Sequence, residues 1–529
     1  MPETPEFVVA AVAAPHRLAA QTGRDVLKEG GNAIEAMIAM AAAIAVVYPH
    51  MSGLGGDGFW LIRTAEGAAR AILASGSAGA GATVAHYRAA GHDDVPARGA
   101  LAALTVPGAV GGLSLAFQFS RALGGKTPLS ELLSRAISLA RDGAPVSVSE
   151  GRFDSLADAA LIAAPGFRTA FLNEGKPFKP GEARRQLPLA DTLDQLARAG
   201  LDDFYRGDIG RELAADLQRV GSPIVRQDLE RYAAERREPL SLRFRDATLF
   251  NTPPPTQGLA SLILLGLYQR LKPPEAGGFK HAHAIIEAAK RAQTIRDRVC
   301  VDVPSLWQGV PALLTPAALE AAAEAIDMAR AAPWPLAEEQ GGTVWMGAVD
   351  AEGNAVSYIQ SVYWEFGSGI VSPATGVLMH NRGLAFSLDE KSPRALKPGR
   401  RPLHTLNPAL AVFDDGRVAP YGSMGGDSQP QFQAQIFTRF AGGEPVAEAI
   451  AAPRLAFGRA WGAPSATVKL EASYDDETAE ALARAGHETE RLRPEQLEKL
   501  GHAGALIRFP NGAVAAAHDP RSDGGAAGF

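Results

Sequence analysis

The chain has 529 residues, a formal net charge of −6 and a single cysteine, Cys300. This slight acidity argues against binding to nucleic acid or anionic membranes, which requires clustered Lys and Arg, so we expect neither partner. One cysteine excludes an internal disulfide framework and a cysteine-rich metal site. The length would fit about two to four domains. No linker of biased composition interrupts the chain, and we predict one globular unit.

The beginning of the chain indicates no secretory signal. Residues 1–6 lack a basic segment and a long apolar core, so we expect a cytoplasmic protein. The run Ala33–Val47 is strongly apolar, but it carries Glu35 and is shorter than the about 20 residues that span a membrane. Asn32 is a good helix cap with Glu35 three residues further on, which predicts a buried helix starting there.

Apolar periodicity predicts the secondary structure in chain order. The first part is mostly helical, with two helices within 20–47, helical stretches over 112–142, 149–217 and 256–299, and strands at 59–63, 70–74 and 240–250. Beyond residue 343 strands dominate, at 343–350, 355–363, 408–414, 417–422, 468–471, 504–509 and 513–517, with one helix at 429–441. This arrangement indicates an α+β fold built in layers.

Two β-rich runs after residue 342 predict a hairpin. Thr343–Asp350 and Ala355–Val362 are separated by a turn signal that contains Gly and Asn. A turn centred near Glu352 places Thr343 opposite Ser361, within one residue of register. The two hydroxyls are either a nucleophile with its hydrogen-bond partner or ordinary strand residues.

The remaining polar motifs predict little chemistry. The glycine-rich segment 422–427 follows a predicted strand and could aim backbone N–H groups at one point, or be a plain turn. His281 and His283 form an HxH pair without a nearby carboxylate pattern, so we predict no metal site. His50 is interpreted as structural and Cys300 as packing. We predict no cofactor.

Nine motifs occur along the chain in an order that resembles the gamma-glutamyltranspeptidase family, a family of N-terminal-nucleophile hydrolases. They are Gly30–Ala36, Tyr48–Phe59, Thr105–Gly108, Pro253–Gly258, Gly353–Val356, Phe366–Gly369, Arg401–Leu403, Gly422–Gly426 and Asp519–Arg521. The resemblance implies a four-layer αββα sandwich. It also implies that the precursor cuts itself between Gly342 and Thr343, giving a large subunit of residues 1–342 and a small subunit of residues 343–529.

The same resemblance implies the catalytic roles. Thr343 would be the nucleophile, Ser361 the second hydroxyl that holds it, and Gly425 with Gly426 the oxyanion hole. A threonine hydroxyl needs a base, and the α-amine freed by cleavage, with a reference pKa of about 8, would supply it. Gly342 tolerates the strained geometry that such a cleavage demands.

The positions that bind a glutamyl group in this family differ here. The family's carboxylate-binding arginine aligns with Ser75, its pocket asparagine with Tyr363, its glutamine and following aspartate with Arg382 and Ala385, and its paired serines with His404 and Thr405. Without an acid at the Ala385 position an ammonium group lacks a partner, whereas Arg382 offers a fork for a carboxylate. An ion pair of Arg382 with Glu365 or Asp427 is the alternative.

These differences predict a small anionic amide as the substrate, with Arg382, Tyr363, His404 and Thr405 around it. The run Tyr363–Gly369 and the segment His380–Gly383 resemble a branch that includes oxamate amidohydrolases of purine-ring catabolism and cephalosporin-acylase-like proteins. Oxamate hydrolysis is therefore our leading hypothesis. The alternatives are gamma-glutamyl transfer or glutathione hydrolysis, a larger acyl-amide substrate, and a non-catalytic scaffold. The expected partners are the two subunits for each other, and a homodimer of the heterodimer stays open.

Overall fold

The computed structural model describes residues 3–152, 156, 158–273, 276–334, 342–458 and 465–529. Its helices are α1 (Arg17–Lys28), α2 (Ala33–Val47), α3 (Val84–Ala89), α4 (Ala109–Ala122), α5 (Leu129–Asp142), α6 (Ala159–Ala163), α7 (Phe167–Phe171), α8 (Leu187–Ala199), α9 (Asp203–Arg206), α10 (Asp208–Val220), α11 (Arg226–Arg231), α12 (Gly258–Leu271), α13 (Gly278–Val299), α14 (Pro304–Trp307), α15 (Val310–Leu313), α16 (Pro316–Glu324), α17 (Gln429–Ala441), α18 (Val446–Ala451) and α19 (Asp476–Arg484).

The strands in the same ranges are β1 (Glu6–Phe7), β2 (Ala11–Ala14), β3 (Asp57–Arg63), β4 (Ala69–Ala74), β5 (Ala144–Pro145), β6 (Leu172–Asn173), β7 (Lys176–Pro177), β8 (Ala183–Arg184), β9 (Glu235–Arg237), β10 (Leu240–Phe244), β11 (Ala247–Asn251), β12 (Gly342–Val349), β13 (Ala355–Tyr363), β14 (Ala409–Phe413), β15 (Val418–Ser423), β16 (Leu455–Phe457), β17 (Val468–Leu470), β18 (Thr489–Arg491), β19 (Ala503–Arg508), β20 (Val514–His518) and β21 (Gly525–Gly528).

Two seven-stranded antiparallel sheets form the centre of the molecule. The first sheet has the order β1-β20-β19-β15-β14-β11-β10, and the second has the order β21-β2-β12-β13-β3-β4-β9. Smaller sheets, β16-β17-β18, β5-β8 and β6-β7, lie outside them. The predicted hairpin is the pair β12–β13 at the middle of the second sheet.

Alternate residues of β2 face two different cores, as the pleat of a strand requires. Ala11 and Ala13 pack between the two sheets, whereas Val12 and Ala14 pack against helices that include α1 and α2. The other face of the first sheet packs on α12, α13, α17 and α18. The layers therefore run helix, sheet, sheet, helix, and the predicted α+β sandwich is confirmed.

The apolar helix α2 begins where the sequence predicts. The Asn32 side chain accepts from the N–H groups of Ile34 and Glu35, and Glu35 Oε2 accepts from the N–H of Asn32, which completes a capping box. Every residue of α2 is buried. Among the described residues, no helix combines the length and apolarity needed to cross a membrane.

One prediction of secondary structure was wrong. The single strand at 240–250 is a tight hairpin, β10–β11, in which Arg245 adopts a positive φ of 49°. Arginine gives no turn signal of the kind that Gly or Asn provides, so the hairpin was not visible in the sequence. The stretch 149–217 is mostly helical, as predicted: α8 and α10 are its longer helices, and β6, β7 and β8 interrupt it.

Trp345 joins the two sheets near the start of β12. Its buried ring lies against Gly422 of β15 and Gly504 of β19, where an added Cβ would stand 2.1 and 2.3 Å from ring carbons. The indole Nε1 donates to Ser357 Oγ at 2.9 Å. These two glycines form a slot for the ring. The position of β12 therefore depends on the absence of a side chain at Gly422 and Gly504 in the opposite sheet.

We therefore expect Gly504→Ala to destabilise the protein by about 1–3 kcal/mol through overpacking against Trp345. The measurement is the thermal unfolding midpoint. Gly309→Ala is the control, because its Cβ would come no closer than 4.0 Å to a neighbouring atom. A midpoint for Gly504→Ala equal to that of the control would contradict the slot.

Candidate active site

The hydroxyl groups of Thr343 and Ser361 meet at the end of the β12–β13 hairpin. Thr343 Oγ1 donates to Ser361 Oγ at 3.3 Å, and both side chains are buried. The pairing runs from Val349 to Val344, and a β-bulge separates Val344 from Gly342, which pairs with Tyr363. The predicted register is confirmed, and the bulge lies at the threonine itself.

The backbone turns sharply after Ser361. Tyr363 N–H donates to Ser361 Oγ at 2.7 Å, and Tyr363 has a φ of 80°, which is costly for a residue with a large side chain. Strained backbone of this kind is frequent at functional sites. The turn brings the Tyr363 ring against the Arg382 guanidinium, whose carbon lies 3.9 Å from the ring centroid.

Arg382 begins a short 3-10 helix, Arg382–Ala385, and is only 1% exposed. Its Nη1 donates to Thr405 Oγ1 at 3.2 Å. The structure therefore brings together three of the predicted substrate residues, Arg382, Tyr363 and Thr405. A contact chain connects them to Thr343 through Ser361. A buried arginine stacked on an aromatic ring holds its planar fork in a fixed orientation.

The glycine-rich turn after β15 is attached to the segment that carries Thr405. Gly425 and Gly426 have φ values of 125° and 52°, which glycine adopts without strain. The Gln257 side-chain amide donates to Gly426 O at 2.7 Å and to Thr405 O at 2.8 Å. One buried amide thus fixes the glycine turn relative to the Thr405 segment.

Arg296 of α13 supports this link from behind. It donates to Gln257 Oε1 at 3.0 Å and forms a buried ion pair with Asp427. Asp427 is therefore paired with Arg296, whereas the sequence had offered it as a partner of Arg382. Nothing in the sequence distinguished Arg296, because its neighbours along the helix supply no motif.

His404 bonds to protein atoms through both ring nitrogens. Nε2 lies 2.9 Å from Asp57 Oδ2, and Nδ1 accepts from Leu406 N–H at 3.3 Å. This geometry assigns the proton to Nε2 of a neutral ring. Burial lowers the pKa of His404 from 6.5 to about 4, although Asp57 acts in the opposite direction. In this arrangement the one N–H of His404 is directed at Asp57 and not at a substrate.

A sequence model of the gamma-glutamyltranspeptidase family matches residues 19–529. The chain belongs to this family. It is 50% identical over 518 residues to the oxamate amidohydrolase proenzyme of Klebsiella pneumoniae, with 98% of each chain covered. It is 35% identical over 522 residues to the glutathione hydrolase-like YwrD proenzyme of Bacillus subtilis, again with 98% of each covered.

The fold agrees with solved structures of gamma-glutamyltranspeptidase relatives. The crystal structure of a cephalosporin acylase from Bacillus halodurans superposes with a TM-score of 0.91 at 31% identity, covering 100% of this chain and 97% of that one. The protein is thus an enzyme of the gamma-glutamyltranspeptidase type with the sandwich of N-terminal-nucleophile hydrolases. Ser75 and Ala385, which the resemblance had aligned with glutamate-binding positions of the family, are both buried here.

The HxH pair that the sequence analysis singled out lies outside the site of this gamma-glutamyltranspeptidase relative. His283 approaches Glu287 and His487, with the three potential ligand atoms within 4.8 Å of one another. His283 Nδ1 is already 2.9 Å from His487 Nε2, and Lys290 Nζ lies 2.6 Å from Glu287 Oε1. An ammonium on this carboxylate opposes a metal cation at the same oxygen, so the cluster does not fit a metal site.

His281, His50 and Cys300 have packing roles. His281 bonds to Tyr268, with 2.8 Å between Nδ1 and the phenol oxygen. His50 stacks near Tyr48 and faces Glu150 at 3.6 Å, which agrees with a structural role. Cys300 is buried next to α13, and burial raises the pKa of its thiol to about 12, which makes it inert.

The neutral His404 predicts a pH dependence of stability. The unfolded chain gains this proton near pH 6.5, whereas the folded chain gains it only near pH 4, so the stabilisation is complete above pH 6.5 and is lost as the pH falls towards 4. We expect the thermal midpoint of His404→Asn to fall less steeply from pH 7 to pH 4.5 than that of the wild type. His86→Asn, at an exposed position, should keep the wild-type slope; equal slopes for both variants would contradict the assignment.

Proposed function

We propose that this protein is a self-processing amidohydrolase whose nucleophile is Thr343. The observation that carries the proposal is the 3.3 Å hydrogen bond between Thr343 and Ser361, two residues away from the Tyr363 ring that stacks on Arg382. Cleavage of the Gly342–Thr343 bond would free the threonine amine and divide the chain into residues 1–342 and 343–529. The bulge at this bond supports the assignment, because regular strand pairing is interrupted there.

The freed amine supplies the base that the hydroxyl needs. With a reference pKa of about 8, it accepts the hydroxyl proton near neutral pH while Thr343 Oγ1 attacks the amide carbon. The C–N bond breaks, and the amine's proton leaves with ammonia. Water then attacks the threonine ester, releasing the acid and restoring the hydroxyl. Ser361 positions the nucleophile as the acceptor of its hydrogen bond.

Gly425 and Gly426 are proposed as the donors for the oxyanion that forms during both steps. Their positive φ values allow successive N–H groups to turn towards one point, and Gln257 fixes the turn relative to the Thr405 segment. Removing one donor from such a site typically lowers the rate about 100- to 1000-fold.

The two products of cleavage would remain one molecule. In the second sheet, β12 and β13 of the small subunit lie between β2 and β3 of the large subunit. In the first sheet, β14, β15, β19 and β20 of the small subunit lie between β1 and β11 of the large subunit. Separating the subunits would therefore break strand pairing in both sheets.

Oxamate is the proposed substrate, with oxalate and ammonia as products. Arg382, stacked on Tyr363 and bonded to Thr405, offers a carboxylate a fixed guanidinium fork in a buried pocket. Oxamate carries its carboxylate next to its amide, which suits an arginine close to the nucleophile. The relative with 50% identity is named for oxamate. Ser75 and Ala385 provide neither the cation nor the acid expected for a gamma-glutamyl group.

Self-cleavage is tested by denaturing mass spectrometry of the purified protein. We expect two pieces, one ending at Gly342 and one beginning at Thr343. Thr343→Ala should remain one chain because it lacks the attacking oxygen, whereas Thr343→Ser should still cleave. A wild-type sample that stays uncut through prolonged incubation would contradict the proposal.

The substrate is tested by ammonia release from oxamate, with Thr343→Ala as the blank. Arg382→Lys should raise KM at least about 10-fold, because a lysine cannot reproduce the bidentate fork. Arg439→Lys is the control. This arginine lies in the last turn of α17, where it pairs with Glu444 just beyond the helix. Release of p-nitroaniline from a gamma-glutamyl anilide, without ammonia from oxamate, would instead favour a gamma-glutamyl enzyme.

A further inference from the structure

We propose that the buried carboxylate of Asp57 is a positioning residue that holds the anion-binding side of the pocket and thereby contributes to selectivity for small anionic amides. This inference rests on the proposed function, in which Arg382 binds the substrate carboxylate. Asp57 would act on Arg382 indirectly, through His380 and His404, which both face its carboxylate.

Asp57 has a hydrogen-bond or ionic partner on each carboxylate oxygen. It begins β3, pairs with Ser361 across the sheet and is 1% exposed. Oδ1 accepts from Gly108 N–H at 3.0 Å. Oδ2 lies 2.9 Å from His404 Nε2 and 3.4 Å from His380 Nδ1. One carboxylate thus connects β3, the neighbour of β13, to the two loops that carry His380 and His404.

Those loops carry the two ends of the carboxylate-binding contact. His404 directly precedes Thr405, and His380 lies two residues before Arg382. Arg382 in turn donates to Thr405 Oγ1 at 3.2 Å. The cycle closes from Asp57 through both histidines to the arginine and the threonine. A shift of either loop would therefore move the guanidinium fork relative to Thr343.

The proton of His404 points at Asp57, whose carboxyl group is held as an anion. His404 Nδ1 accepts from Leu406 N–H, so its Nε2 carries the proton that faces Asp57. His380 Nε2 lies 2.9 Å from Thr105 O, and its Nδ1 faces Asp57 Oδ2 at 3.4 Å. Burial raises the pKa of Asp57, but His380 and His404 outweigh it and hold that pKa well below the usual range.

Asp57→Asn is the decisive variant, because it preserves shape and removes one acceptor. Gly108 N–H and His404 Nε2 bond to different oxygens of Asp57, so the one side-chain oxygen of an asparagine can take the place of only one acceptor. In processed enzyme we expect KM for oxamate to rise about 100-fold, the scale of a 1 Å misplacement, with a smaller change in kcat. An unchanged KM overturns the proposal.

Asp350→Asn is the matched control for a merely structural role. Asp350 is equally buried, at 1% exposed, and accepts from the N–H groups of Ala33, Gly353 and Asn354 at the far end of the hairpin. We expect it to lower the thermal midpoint and leave KM unchanged. If Asp57→Asn fails to fold or to process, His404→Asn takes its place, with the same rise in KM expected and the same overturning result.

A crystal structure of Asp57→Asn separates this inference from the proposed substrate. We expect the 3.2 Å contact between Arg382 Nη1 and Thr405 Oγ1 to lengthen beyond hydrogen-bond reach. Its retention overturns the positioning role whatever the substrate is. Wild-type enzyme that releases no ammonia from oxamate, together with a broken contact in the variant, rejects oxamate alone.

Discussion

Antiparallel pairing on both sides of β12 is the constraint on which the rest of the site depends. β13 pairs with β12 along most of its length, and β2 pairs with its far end. Trp345 extends this control to the opposite sheet, where Gly422 and Gly504 leave room for its ring. The strand is held in three directions, and its described pairing with β13 is regular except for the bulge at Thr343. The proposed nucleophile, Thr343, thus lies where the regular pairing of the strand stops.

Around this strand, buried polar side chains join the loops that form the pocket. Gln257 bonds to the main chain of both Thr405 and Gly426, and Arg296 fixes Gln257 from α13. Asp57 connects its own strand to the loops that carry the two histidines. Each of these groups is costly to bury without its partners, so the loops have one favoured arrangement. Such partners explain how a site made largely of loops can remain geometrically defined.

The sequence was most informative where local signals and the fold agree. The Asn32 capping box, the apolar α2 and the β12–β13 register were predicted correctly, because each depends on short-range chemistry. The left-handed turn at Arg245 was missed, since arginine does not signal it. The roles of Gln257 and Asp57 were also missed, although both lie within recognised motifs. Their partners are distant in sequence, and only the folded chain brings them together.

The interleaving of the two proposed subunits has a consequence for how the enzyme would be activated. The β12–β13 hairpin that places the hydroxyl beside Ser361 lies between β2 and β3, two strands from the other side of the Gly342–Thr343 bond. On the proposed mechanism, a chain whose β12–β13 hairpin has not formed cannot free its own amine and remains inert. Activation would therefore depend on folding, because the contact that positions the proposed nucleophile forms only in the folded hairpin.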